Sequence, residues 1–122
     1  MLDHIYIPVS DLAASQSFYE QALAPLGSEP LIARPGVVGF GANGKPEFFL
    51  REGTARDLVH VAFRGADRPT VDAFHAAGLA AGGRDNGAPG VRDVYHPNYY
   101  GAFVLDPDGH NVEAVCHDPA PV

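Results

Sequence analysis

Hydrophobic and polar positions in the first half of the chain predict a strand, a helix and a hairpin. Residues 4–9 are dominated by β-branched and aromatic side chains, which is typical of a strand. Ser10 or Asp11 supplies a helix N-cap, and apolar positions then recur near helical spacing over residues 12–26. Gly27 is placed to close this helix. Two strands follow around residues 37–42 and 47–51, joined by the hairpin signal Asn43-Gly44.

The second half predicts the same order of elements. Residues 58–63 form a strand, and a helix over residues 68–81 is ended by Gly82-Gly83. A polar, glycine-rich connection covers residues 84–94. The final strands are residues 99–105 and 111–116, and Asp106-Pro107-Asp108-Gly109 between them has the composition of a turn.

The two halves are related by a shift of 56 residues, which places His4 on His60, Asp11 on Asp67 and Phe18 on Phe74. We interpret the chain as an α+β protein of two βαβββ modules, whose sheets curl into a mixed half-barrel with the helices outside. The module boundaries are residues 1–53 and 54–117, and residues 118–122 form a proline-rich tail.

Composition narrows the class of protein. A length of 122 residues suits one domain, and the single cysteine, Cys116, excludes a disulfide framework. The net charge of −7 repels phosphate backbones, so nucleic acid is not expected as a partner. Apolar runs are too short to cross a bilayer, and the N-terminus has no basic or apolar signal segment. We therefore expect a cytoplasmic protein that does not contact membranes.

Three potential metal ligands lie on three predicted strands. His4 and His60 occupy equivalent positions of the repeat, and Glu113 lies in the last strand. Two imidazoles and one carboxylate can hold a divalent ion on one side and leave the other side open for substrate. A solvent-exposed face remains the alternative for each of these residues, although Glu113 lies between Val112 and Ala114 in an apolar strand. The donor set accommodates Mn, Fe, Co, Ni or Zn.

Two segments resemble the vicinal oxygen chelate superfamily, which includes glyoxalase I, bleomycin-resistance proteins, fosfomycin-resistance transferases and extradiol dioxygenases. They are residues 3–12, followed by Phe18-Tyr19, and residues 105–113 with the sequence Leu-Asp-Pro-Asp-Gly-His-Asn-Val-Glu. The resemblance covers residues 2–117 and implies paired βαβββ modules. It also implies metal ligands at His4, His60 and Glu113 and a homodimer that binds a small-molecule substrate.

Departures from the family pattern separate the possible activities. Glyoxalase I has a fourth glutamate ligand at the position of Phe49, which cannot ligate, and several dioxygenase and transferase relatives have a tyrosine at the position of Phe103. The resemblance favours a metal-dependent enzyme of isomerase or lyase type acting next to a carbonyl. The alternatives are an Fe(II) ring-cleaving dioxygenase and a non-catalytic protein that sequesters a drug or metabolite.

Residues 95–101 carry the densest set of functional groups in the chain. Tyr99 shares strand parity with Glu113 and is a candidate hydrogen-bond donor to substrate, and His96 is a candidate general base. Four aromatic residues are expected to line the substrate pocket: Phe49, Tyr95, Tyr100 and Phe103. The alternative for these aromatics is core or dimer packing. His75 and His110 are expected at the surface, and Cys116 in the core.

Overall fold

The computed structural model describes residues 1–121 and contains two helices and eight strands in those residues. The first module consists of β1 (Ile5–Val9), α1 (Leu12–Leu23) with a short 3-10 helix (Ala24–Leu26), β2 (Glu29–Arg34), β3 (Val37–Ala42) and β4 (Lys45–Glu52). The second consists of β5 (His60–Arg64), α2 (Arg68–Ala80), β6 (Arg84–Val91), β7 (Tyr100–Leu105) and β8 (Asn111–Cys116). The α+β class and the two βαβββ modules are thus confirmed. The last residue of the predicted tail, 122, lies outside the described residues.

Each module forms a four-stranded mixed sheet with the same strand order. The orders are β1-β4-β3-β2 and β5-β8-β7-β6, and the first pair in each sheet is parallel. Tyr6 lies opposite Phe49 in one sheet, and Ala62 lies opposite Glu113 in the other. Since Tyr6 and Ala62 are related by the 56-residue shift, Phe49 and Glu113 occupy equivalent positions, as the repeat predicted.

Two strands lie in segments where the sequence pattern predicted none. β2 falls in the gap between the predicted helix and hairpin, and β6 replaces the predicted glycine-rich connection. Both are the outermost strands of their sheets. A strand at a sheet edge pairs on one side only, and β2 and β6 bury few of their residues, so neither needs the apolar alternation that identifies an inner strand.

Turn and cap positions follow the sequence signals closely. Asp11 accepts a hydrogen bond from the Ala14 amide at 3.0 Å and caps α1, and Asp67 accepts one from the Thr70 amide at 2.8 Å and caps α2. Asn43 and Gly44 both have positive φ, at 55° and 75°, which is the conformation required by a two-residue hairpin of this type.

Both modules contribute to one hydrophobic core. Its fully buried side chains include Phe18 and Leu23 of α1, Phe40 of β3, Phe74 of α2 and Val104 of β7. Cys116 is 1% exposed and belongs to this core, as expected. Neither helix in the described residues has the length and apolarity needed to cross a membrane. The sheet faces that do not pack on the helices remain available for a site.

The turn between β7 and β8 joins the two modules. The buried carboxylate of Asp106 accepts hydrogen bonds from the Tyr19 hydroxyl at 2.6 Å and from the His110 amide at 2.8 Å. His110 is completely buried, its Nδ1 accepts the Val59 amide, and its Nε2 donates to the carbonyl of Pro8. We call Asp106, Asp108 and His110 the inter-module clasp. The expectation that His110 lies at the surface was therefore wrong, because the turn is covered by the first module.

We expect the stability of the protein to fall as the pH rises above about 10. Burial, followed by the neighbouring charge of Asp106, raises the pKa of the Tyr19 phenol well above its ordinary value of 10.0. Above that ordinary value the unfolded chain releases the Tyr19 proton while the folded chain retains it, which favours unfolding. Urea unfolding between pH 8 and pH 11 measures this loss. The decline should be shallower in Tyr19→Phe, and an equal decline in both proteins would contradict the assignment.

Candidate functional site

The second module holds a buried carboxylate on the sheet face opposite its helix. Glu113 of β8 is 1% exposed, although its neighbours Val112 and Ala114 point into the core. Its Oε1 lies 2.7 Å from Nε2 of His60, the first residue of β5, and its Oε2 accepts a hydrogen bond from the Tyr99 hydroxyl. A buried carboxylate is costly unless it is paired, and these two side chains pair it.

A glycine makes room for this arrangement. Gly101 of β7 is paired with Val115 of β8, and a Cβ built on it would lie 3.1 Å from the Tyr99 ring and 3.3 Å from Oε2 of Glu113. The space left by Gly101 is therefore filled by the Tyr99–Glu113 contact. The position of Tyr99 beside Glu113 agrees with the strand parity from which it was predicted.

Tyr99 is held in its protonated form. Burial, and then the hydrogen bond to Glu113, raise the pKa of its phenol above the ordinary value of 10.0. Near neutral pH Tyr99 is thus a hydrogen-bond donor and not a base.

His96 and His117 form a pair beside Tyr99. Their rings stack with centroids 5.1 Å apart, and Nε2 of His96 lies 2.9 Å from Nδ1 of His117. The Asn98 amide donates to Nδ1 of His96 at 3.1 Å, so the proton of the neutral ring is on Nε2, which donates to His117. In this arrangement His96 has no free lone pair, and it can serve as the general base only if one of these hydrogen bonds opens.

The first module presents aromatic and basic side chains on the equivalent face. The Tyr6 and Phe49 rings stack at 4.5 Å, and the His4 ring meets both of them edge-on. On its other side the Tyr6 ring is covered by the Arg51 guanidinium, 4.4 Å from the ring centroid. His4 is half exposed, and its Nδ1 lies 2.7 Å from the Asp3 carboxylate. His4 therefore does not contact His60 or Glu113 through Nδ1.

The three predicted metal ligands do not lie close together within one chain. His4 borders a cleft of about 200 Å³ whose far wall is Val61, Ala62 and Phe63, whereas His110 links Val59 to Pro8 at the other end of β1. Strands β1 and β5 thus run in opposite directions on the two sides of this cleft, with Val59, the neighbour of His60, linked to Pro8. Within residues 1–121 the ligand atoms of His4, His60 and Glu113 do not all lie within 4.8 Å of one another. His60 and Glu113 are in contact with each other, and His4 does not belong to that cluster.

A family model described as the Glyoxalase/Bleomycin resistance protein/Dioxygenase superfamily matches residues 1–114, which is nearly the whole chain. The chain belongs to this superfamily. No curated protein matches the chain.

Solved structures of the superfamily share the fold over almost their full length. A glyoxalase/bleomycin resistance protein from Albidiferax ferrireducens T118 is 30% identical, with a TM-score of 0.81, covering 97% of this chain and 99% of that one. A lactoylglutathione lyase from Agrobacterium tumefaciens is 20% identical with a TM-score of 0.70 over 95% and 92% of the two chains. At that lower identity the likeness shows the fold alone.

The superfamily fold distributes the predicted pocket residues over different surfaces. Phe103 lies opposite Glu113, with its ring 6.0 Å from the His60 ring, and Tyr95 is exposed and packs on Tyr99 at 4.7 Å. Phe49 lies on the first module. Tyr100 faces the helix, because its hydroxyl donates to Asp72 of α2 at 2.6 Å. Tyr100 therefore lies on the sheet face opposite Glu113 and not in the predicted pocket.

The inter-module clasp has the spacing of a cation site. Ligand atoms of Asp106, Asp108 and His110 lie within 4.8 Å of one another, the only such group of three in the described residues. Both nitrogens of His110 and the carboxylate oxygens of Asp106 already have hydrogen-bond partners, and Asp108 accepts from the Ser10 amide. An ion would have to replace these bonds between the modules, so we assign the clasp a structural role.

Three residues near the sites were not identified from the sequence as functional. Tyr6 shares a strand face with His4, which lies two positions earlier, and this parity was the available signal. Arg34 lies at the end of β2, a strand that the pattern did not reveal, so its position had no signal. His117 has the parity of Glu113, but its pairing with His96 depends on the conformation of the loop over residues 92–99.

Proposed function

We propose that this protein is a metal-dependent enzyme that binds a small oxygen-rich substrate and catalyses isomerase- or lyase-type chemistry next to a carbonyl group. The observation that carries the proposal is the buried Glu113 carboxylate, whose two oxygens are held by His60 and Tyr99. Membership of the superfamily and the lactoylglutathione lyase among its solved structures support this reaction class. A cytoplasmic location stays a prediction of the sequence.

The donor chemistry of the second module fits a divalent ion. Nε2 of His60 and Oε1 of Glu113 are 2.7 Å apart, so both atoms can contact one ion. When bound, such an ion polarises a substrate carbonyl and stabilises the negative charge that develops on its oxygen. We propose that His4 of a second copy supplies the third ligand, because within one chain the ligand atoms of His4, His60 and Glu113 do not come together in the described residues. The enzyme would then be a homodimer with sites shared between subunits.

Other side chains of the second module position Glu113 and limit the space around it. Tyr99 fixes the orientation of Glu113 through its single O–H, which stays protonated, and it could donate a hydrogen bond to a substrate oxygen only by releasing Glu113. The Phe103 ring limits the space beside His60. His96 and His117 support the Tyr99 ring, which both meet nearly edge-on, and in this arrangement they act as positioning residues.

A second function uses the same donors. Two imidazoles and one carboxylate are also the ligand set of Fe(II) oxygenases, which leaves ring-cleaving oxygen chemistry as an alternative. The reaction with dioxygen separates the two: oxygen uptake with catechols by the iron-loaded protein would favour the dioxygenase. Exchange with D₂O of the hydrogen next to the carbonyl group of a substrate, monitored by NMR, would favour the isomerase or lyase.

We expect the substitution His60→Ala to abolish metal binding without unfolding the protein. His60 is half exposed, so its removal costs little packing, but it removes one of the two donors that converge at Glu113. Elemental analysis of protein purified without an immobilised-metal column measures the metal content. We expect about one ion per chain in the wild type and nearly none in the variant.

His75→Ala is the matched control for this measurement. His75 also pairs with a carboxylate, with its Nε2 2.9 Å from Asp85, but it lies on α2 away from Glu113. The control should retain the wild-type metal content. A metal-free wild type under metal-replete expression, or equal metal in all three proteins, would overturn the assignment and favour a non-catalytic binding protein.

A further inference from the structure

Two arginines converge on one tyrosine on the sheet face of the first module that does not pack on its helix. Arg34 of β2 and Arg51 of β4 are both paired with Val37 of β3, so they lie in one row across the sheet. Nη2 of Arg34 lies 3.4 Å from the Tyr6 hydroxyl, and the Arg51 guanidinium lies over the Tyr6 ring. We call Arg34, Arg51 and Tyr6 the arginine–tyrosine cluster.

The two guanidinium groups lack acidic partners. Within residues 1–121 no carboxylate oxygen lies within 4.0 Å of a side-chain nitrogen of either Arg34 or Arg51. This is notable in a chain with 15 acidic and 8 basic residues, where a neutralising carboxylate could readily be supplied. Two like charges beside one phenol repel each other, and a bound anion would remove that repulsion.

The hydrogen-bonding capacity of the cluster is largely unused. Each guanidinium has five N–H donors in a planar fork that matches an oxyanion, and Arg34 uses one of them on Tyr6. Because the Tyr6 oxygen accepts that bond, its own O–H is free to donate. The cluster therefore offers donors of three side chains to one acceptor group.

Packing fixes Tyr6 in place before any ligand binds. Its ring is held between Phe49, stacked at 4.5 Å, and the Arg51 guanidinium. Phe49 in turn lies against Gly39, where an added Cβ would approach the Phe49 ring to 2.6 Å. The glycine at position 39 thus leaves room for the Phe49 ring, and the Phe49 ring in turn holds the Tyr6 ring in position. Such pre-organisation reduces the ordering cost of binding.

We propose that the arginine–tyrosine cluster is an oxyanion-binding site that takes the carboxylate or phosphate group of a small ligand. The cluster lies two positions along β1 from His4, a separation of roughly 7 Å. If the proposed function holds, this ligand is the substrate, with its anionic group at the cluster and its carbonyl oxygen near His4. The substrate class is then a small oxo or hydroxy compound with an anionic group at one end.

Binding of benzoate, benzamide and inorganic phosphate to EDTA-treated protein tests this proposal without metal. We expect benzoate to shift the NMR signals of Tyr6 and of the Arg51 side chain in a saturable manner, while the neutral benzamide does not. Arg34→Gln and Arg51→Gln should each weaken anion binding by about tenfold or more, since each removes charge-assisted hydrogen bonds. Tighter binding of phosphate or of benzoate identifies the preferred anionic group.

Two controls separate this site from the metal site. Arg56→Gln, in the exposed loop between β4 and β5, makes the same charge change and should leave anion binding unchanged. His60→Ala should bind benzoate normally even though it is expected to lose the metal. Equal binding by the wild type and the Arg34→Gln/Arg51→Gln double variant, with both folded by circular dichroism, would overturn the proposal. So would the absence of any saturable shift with both anions.

Discussion

The substitution Asp106→Ala should lower the free energy of unfolding by about 3–5 kcal/mol, and thereby the midpoint of thermal unfolding by roughly 10 °C or more. The carboxylate of Asp106 is 2% exposed and accepts hydrogen bonds from the Tyr19 hydroxyl and from the amides of Asp108 and His110. Alanine leaves these donors without an acceptor in a region that water does not reach. Urea unfolding followed by circular dichroism measures the loss.

Two further substitutions calibrate that effect. Asp93→Ala removes an exposed carboxylate and should change the free energy of unfolding by less than about 0.5 kcal/mol. Asp106→Asn retains one carbonyl acceptor and should fall between the two alanine variants. If Asp106→Ala were as stable as Asp93→Ala, the clasp would not hold the modules together. The close spacing of the Asp106, Asp108 and His110 ligand atoms would then need another explanation.

The clasp also illustrates what the sequence could and could not predict. The composition Asp106-Pro107-Asp108-Gly109 identified a turn, and Gly109 has the positive φ, 95°, that such a turn requires. No residue pattern near this turn indicates that the first module covers it. Contacts such as His110 to Pro8, 102 residues apart, depend on the packing of the modules and leave no local pattern.

The presence or absence of a local sequence pattern also explains which strands were predicted. The inner strands β3, β4, β7 and β8 are apolar enough to be identified, and β8 was placed with its observed bounds, Asn111–Cys116. Of the four edge strands, β1 and β5 were predicted, and β2 and β6 were missed. β6 contains Gly87, Pro89 and Gly90, which are typical of a loop, yet an edge strand tolerates them because one of its sides is unpaired.

At the candidate site, short-range geometry was predicted better than the meeting of distant elements. Strand parity placed Tyr99 and Phe103 beside Glu113, and the repeat placed His60 on the adjacent strand. The repeat also treated His4 as a neighbour of His60. Pseudo-equivalent strands of one chain run in opposite directions here, so equivalent positions need not be close.

We expect mixed dimers to reveal a metal site shared between subunits. His4→Ala and His60→Ala chains should each be metal-free alone, since every site of either homodimer lacks one histidine. A dimer of one chain of each kind has one site with both histidines intact, and should hold about half of the wild-type metal content. Differently tagged chains, co-expressed and purified through both tags without polyhistidine, give this dimer for elemental analysis.

A second mixed dimer is expected to have the opposite metal content, and the two dimers together distinguish shared sites from sites within one chain. In a dimer of wild-type chain with the His4→Ala/His60→Ala double variant, both shared sites lack one histidine, so we expect almost no metal. If instead each chain built its own site, this dimer would retain half of the metal and the first mixture would have none. His4 and His60 would then have to approach each other within one chain by a rearrangement of β1 against β5, at the expense of the His110 link that holds Pro8 to Val59.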